Sequence, residues 1–248
     1  MTDRSPRDDV GLPDHKPRPL VDLLLGIVIP SAILMKLSGD DHLGASGALV
    51  VALLFPIGWW LFERLRYRKF NIIAVLGLVS VLLTGGIGLM ELDPQWLAIK
   101  EAAIPGILGL AVLISTFTPY PLLKAMLYNP TVVDTAKIQE RLAQRNNEAL
   151  FEKRLLWSSY LLAGTFFFSA VMNYILATWI VTSPAGSSAF NEELGRMTLL
   201  SYPVIALPSM AMMMAIMVLI WRTIRQLTDL TLEDLFDLDE EDDKDKGG

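Results

Sequence analysis

Apolar residues gather in six long runs, at residues 20–37, 44–62, 71–90, 102–123, 155–181 and 197–221, with polar connections between them. About 20 mostly apolar residues cross the ~30 Å hydrocarbon core of a bilayer as a helix. Only helices and closed barrels satisfy their backbone hydrogen bonds in that medium. The pattern predicts an all-α, polytopic membrane helix bundle with six transmembrane helices. The first run, 18 residues, is longer than a usual signal-peptide core, so a retained first helix is expected despite the small residues Ala45-Ser46-Gly47 after it.

Basic residues set the expected orientation. Lys16 and Arg18 precede the first run, and Arg64, Arg66, Arg68 and Lys69 join the second to the third. Lys124, Lys137, Arg141, Arg145, Lys153 and Arg154 fill the fourth connection, and Arg222 and Arg225 follow the last run. These fourteen cations fall on one side, against Lys36, Lys100 and Arg196 on the other. Lysine and arginine near span ends stay in the cytoplasm, so both termini are expected there. The layout is a cytoplasmic segment 1–19, a membrane domain 20–225 with a cytoplasmic connection 124–154, and a tail 226–248.

The connections fit this scheme. Residues 38–43 and 91–99 are short outer links holding Asp40, Asp41, Glu91 and Asp93. Residues 182–196 read as a third outer loop around Pro184, Gly186, Ser187 and Ser188. Pro119 and Pro121 are placed to end or kink the fourth helix. Between 132 and 154, Val132, Val133, Ala136, Leu142, Leu150 and Phe151 alternate with Lys137, Glu140, Arg141, Arg145 and Glu148. That pattern predicts an amphipathic helix, either at the inner membrane surface or packed on the bundle. Residues 229–248 hold ten acidic and two basic side chains, too polar to fold alone, and are expected to be largely disordered beyond about Phe236.

Composition narrows the chemistry. The chain is 52% hydrophobic and 19% charged, leaving no room for a second large domain. Its net charge of −6 comes from the tail, and the remainder is slightly positive with no surface suited to nucleic acid. Cysteine is absent, which excludes disulfides, thiol catalysis and thiolate metal sites. His15 and His42 lie outside the runs, so no histidine is placed to activate a serine within the bundle. Asp40-Asp41-His42 reads as a turn, and there is no HExxH or phosphate-binding glycine loop. An enzyme, a metal and a cofactor are all unexpected.

Polar groups in hydrocarbon need partners inside the bundle. Ser158, Thr165, Ser169 and Asn173 share one face of the fifth helix, and Ala74, Gly77, Ser80, Thr84 and Gly88 make a small-residue stripe on the third. Both are read as helix-packing faces, with a ligand path as the alternative. Pro30, Pro56, Pro105, Pro203 and Pro208 fall within the runs and are placed to bend them. Methionines 210, 212, 213, 214 and 217 point all round the last helix and read as packing and lipid contacts. Lys36, Lys100, Glu101 and Asn173 lie toward the expected outer leaflet. They form a hypothetical polar pocket in which the lysines attract an anion and Asn173 orients it. The alternative is that the lysines snorkel to the interface or pair with nearby carboxylates.

Several stretches in order carry a family likeness: Met35-Lys36-Leu37, Tyr67-Arg68-Lys69, Thr84-Gly85-Gly86, Trp96 through Glu101, and Asn173-Tyr174. Over roughly residues 20–225 the chain resembles the inner-membrane septation protein A (YciB) family, and within it the larger six-span VC0807-type membrane proteins. The resemblance implies a bacterial inner-membrane protein of envelope maintenance or septation without catalysis. It also adds weight to Lys36, Lys100 and Asn173. The long 124–154 connection and the acidic tail depart from that pattern. The expected partners are the lipid bilayer, envelope or division proteins and further copies of the chain. A transporter or channel for a small anionic solute is the alternative.

Overall fold

The computed structural model describes residues 20, 23–67, 72–119, 121–127 and 135–230. The expected cytoplasmic segment 1–19, the Arg68-Lys69 connection, Val132 and Val133, and the acidic tail beyond 230 lie outside these residues. All regular structure among the described residues is helical. Helix α1 (Ile29–Leu37) follows a π turn (Leu24–Val28). Then come α2 (Gly44–Tyr67), α3 (Ile72–Leu89), α4 (Gln95–Ser115), α5 (Leu122–Leu127), α6 (Thr135–Gln144) and α7 (Glu148–Ile180). The last are α8 (Ser188–Ser201), a second π turn (Tyr202–Ala206) and α9 (Leu207–Thr228).

Four stretches are long and apolar enough to cross a membrane: Gly44–Phe62, Gln95–Ser115, Glu148–Ile180 and Ser188–Thr228. Leu24–Leu37 and Gly77–Leu89 are shorter apolar helices. This is the make-up of a multi-pass membrane protein.

Element boundaries differ from the sequence pattern in three places. The fourth helix starts at Gln95 rather than Ala102, and ends at Ser115 rather than Leu123. Lys100 and Glu101 therefore sit inside it. Asp93 accepts the Gln95 N–H at 2.8 Å, which starts the helix early. At the other end, buried Ser115 donates to the Val112 carbonyl and accepts the Leu122 N–H at 3.0 Å, fixing an elbow. The stretch 182–196 is mostly helix, since α8 begins at Ser188. Its polar residues mislead because Phe190, Leu194 and Met197 are buried at helical spacing. The amphipathic stretch is broken at Asn146, which has φ +53°, so that only α6 stands alone and residues 148–154 are the first turns of α7.

Both π turns precede a proline. The N–H of Ile29 bonds to Leu24 and that of Leu207 to Tyr202, each five residues back. The next residue is Pro30 in one case and Pro208 in the other. A proline ring clashes with the carbonyl four residues before it, here Gly26 or Val204, inside each π turn. The wider turn gives that carbonyl room.

The chain forms two compact units. In the first (residues 1–100 and 176–200), α1 and α2 make a hairpin. Its turn is closed by the Leu43 N–H on the Leu37 carbonyl and by Gly44 at φ +69°. Gly85 and Gly88 of α3 bring it against Leu53 and Leu49 of α2. Gly195 of α8 sits on the backbone of α1 at Ser31. Glu193 accepts the N–H groups of Thr182 and Ser183 at 2.9 and 2.8 Å, and both hydroxyls, which closes the turn before α8.

In the second unit (residues 101–175 and 201–248), Ile138 and Leu142 of α6 are buried in a cluster with Phe151, Leu155, Ile224, Leu227 and Leu230. The apolar face of α6 is thus packed on α7 and α9. That favours the bundle-packed reading over one in lipid. Gly109 of α4 lets Phe166 and Phe167 of α7 approach closely.

Candidate functional site

Of the sequence-selected residues, the fold brings together Lys100, Ser80 and Thr84. Lys100 lies in the second turn of α4 and is only 8% exposed. Its Nζ donates to Thr84 Oγ1 at 2.6 Å, to Ser80 Oγ at 3.2 Å and to the Ser80 carbonyl at 3.4 Å. Thr84 Oγ1 also donates to the Ser80 carbonyl at 3.0 Å. Ser80 and Thr84 are one turn apart, so both hydroxyls face the same ammonium. A buried cation is tolerated only where such acceptors replace water. The small-residue stripe therefore divides: Gly85 and Gly88 pack on α2, Ser80 and Thr84 receive Lys100, and Gly77 meets nothing within 4 Å.

The other residues of the expected pocket are Lys36, Glu101 and Asn173. Lys36 is exposed in the last turn of α1, while Glu101 and Asn173 belong to the second unit. Asn173 Nδ2 donates to the Ser169 carbonyl of its own helix at 2.8 Å.

The polar stripe of α7 faces α9. Ser169 and Ser209 hydroxyls lie 2.9 Å apart, and Thr165 Oγ1 contacts Met212 Sδ at 3.9 Å. Ser158 bonds back to the Arg154 carbonyl at 3.1 Å. Interhelical hydroxyl bonds in membranes contribute about 0.6 kcal/mol on average. Ser169→Ala and Ser209→Ala are each expected to cost about that much in a thermal melt. The double variant should cost no more than either alone; additive losses would show that the hydroxyls do not pair.

Asn191 is hidden in the sequence by the turn formers Pro184, Gly186, Ser187 and Ser188 of its segment. It is 1% exposed, and its Nδ2 donates to Ser38 Oγ at 3.1 Å and to the Ala45 carbonyl at 2.7 Å. The amide ties α8 to both sides of the α1–α2 turn. The signal available was its place between Phe190 and Leu194 on a helical apolar stripe.

Among the described residues no group of three or more His, Cys, Asp or Glu side chains is arranged to hold a metal ion. Two adjoining clefts, of about 670 and 470 Å³, share Pro119, Lys124, Ala149 and Glu152 at the base of α7. Neither is lined by Lys36, Lys100 or Asn173. Compared with known proteins, the chain matches no family model, no curated sequence and no solved structure.

Proposed function

We propose that this chain is a six-span, non-enzymatic inner-membrane protein with both termini in the cytoplasm. It serves envelope maintenance or septation through protein or lipid contacts, in the manner of the septation protein A family it resembles. The observation that carries this reading is how the polar groups of its apolar helices are used. Lys100 is taken up by Ser80 and Thr84, Ser169 by Ser209, and Thr165 by Met212. Such contacts close helices on one another and favour a scaffold over a conduit. The six-span count is supported by the four long apolar helices with the two shorter ones, and the orientation by the basic side chains around α6 and in the last turns of α9.

A second reading, a transporter for a small anion, draws on one observation. Lys100 is a buried cation held by hydroxyls, a group suited to a negatively charged solute. Reconstitution in proteoliposomes separates the two. We expect no saturable uptake of chloride, phosphate or small carboxylates. Photo-crosslinking from Arg141 on the exposed face of α6 should capture envelope proteins in intact cells. Saturable uptake that is lost in the Lys36→Gln/Lys100→Gln variant would overturn the scaffold reading.

A further inference from the structure

We propose that residues 231–238 of this chain dock into the double cleft between the α4–α5 elbow, α6 and the first turns of α7. This goes beyond the functional reading above and does not depend on it.

The first observation is where the described chain leaves the bundle. Asp229 caps α9 with φ +57° and pairs with Arg145, just before the α6–α7 break. Asn147 Nδ2 donates to the Leu227 carbonyl at 3.0 Å, and Arg154 donates to Gln226 Oε1 at 2.7 Å. The start of the tail is thus pinned to the base of α7.

The second observation is the burial of the last described residue. Leu230 lies past the helix end yet is 3% exposed, in one cluster with Leu142 and Phe151. Those two side chains also line the larger cleft. The cleft thus shares two side chains with the cluster that buries Leu230. Eight further residues reach at most about 29 Å, at ~3.6 Å each, ample to cross an adjoining cleft.

The third observation is the sequence of the occupant. Leu232, Leu235 and Phe236 stand at i, i+3 and i+4, with Glu233 and Asp234 between them and Asp237 after them. As a sequence pattern this is amphipathic, with apolar and acidic positions segregated. The cleft offers Pro119, Ala149, Phe151, Leu155 and Leu156 as its apolar lining. Its own charges balance: Lys124 and Lys153 stand against Glu148 and Glu152, with Lys124 and Glu152 paired at 2.7 Å. Apolar anchoring therefore leads. Arg141, exposed on α6, and Arg145, already paired with Asp229 at its end, suit the acidic residues of the segment.

The absence of native cysteine makes a direct test simple. In the full chain in nanodiscs, Ala149→Cys is combined with Leu235→Cys or, as the comparison, with Lys246→Cys, and a short bismaleimide is added. The 149/235 pair should cross-link within one chain at least fivefold faster than the 149/246 pair. Adding Leu232→Asp and Phe236→Asp should bring its rate down to that of the comparison. Equal rates for the two pairs, or links formed only between chains, would overturn the proposal; the latter would indicate a second copy as occupant. As an independent readout, Ala149→Cys alone is labelled with a water-soluble maleimide. A chain ending at Leu230, which keeps the Asp229 and Leu230 contacts, should label at least fivefold faster than the full chain. Equal labelling would also overturn it.

Discussion

Gly195→Ala is expected to lower the unfolding temperature of the detergent-solubilised protein, although alanine is the better helix former. A Cβ there would lie 2.8 Å from the Ser31 carbonyl oxygen, 2.9 Å from Met35 Cγ and 3.3 Å from Leu34 Cβ. The carbonyl belongs to helix backbone and cannot swing away, so α8 must move off α1. That shift also pulls on the Asn191 amide, one turn earlier, and its bonds to Ser38 and Ala45. Overpacking of this kind costs about 1–3 kcal/mol, against a gain of about 0.5–1 kcal/mol from replacing a helical glycine. The net loss should be about 1 kcal/mol, or roughly 2–4 °C for a chain of this size. Gly86→Ala is the matching control. Nothing lies within 4 Å of its Cβ position, so the same substitution should raise stability slightly. If the two variants melt alike, the close contact between α8 and α1 is not as described.

The second large effect concerns Lys100 and is asymmetric. Ser80→Ala with Thr84→Val removes both hydroxyl acceptors from a side chain only 8% exposed. Leaving a buried charge short of partners costs more than removing the charge. The double variant should lose about 2–3 kcal/mol, and Lys100→Met alone about 1 kcal/mol or less. Adding Lys100→Met to the double variant should recover at least half of its loss. This is a coupling that independent sites do not show, and simple additivity across the cycle would sink the account.

The sequence disclosed a helical membrane protein through its apolar runs, because lipid demands length and hydropathy whatever the tertiary contacts. It was less informative where helices extend past the apolar runs. The polar start of α8 reads as loop, and Lys100 precedes the fourth apolar run yet lies inside a helix that begins at Gln95. Polarity marks where a helix leaves hydrocarbon, not where it stops. The candidate site was legible in part. Lys100, Ser80 and Thr84 were each picked out, but as separate features, since spacing within one helix says nothing about which face another helix meets. Asn191 and Gly195 were missed for the reason that hid α8. The π turns follow from Pro30 and Pro208, yet the wider winding depends on backbone relief that residue type alone does not reveal.

Each of those π turns holds one residue more than regular winding would use, so everything beyond it is rotated by about 100°. In the last helix, the rotation decides that Ser209 and Met212, rather than their neighbours, look toward Ser169 and Thr165. The surplus residue and the imide ring are mutually dependent: losing the first returns the collision at the Val204 carbonyl, and losing the second leaves a wide turn with no cause. Lineages descended from this chain would be expected to keep the two together or discard them together.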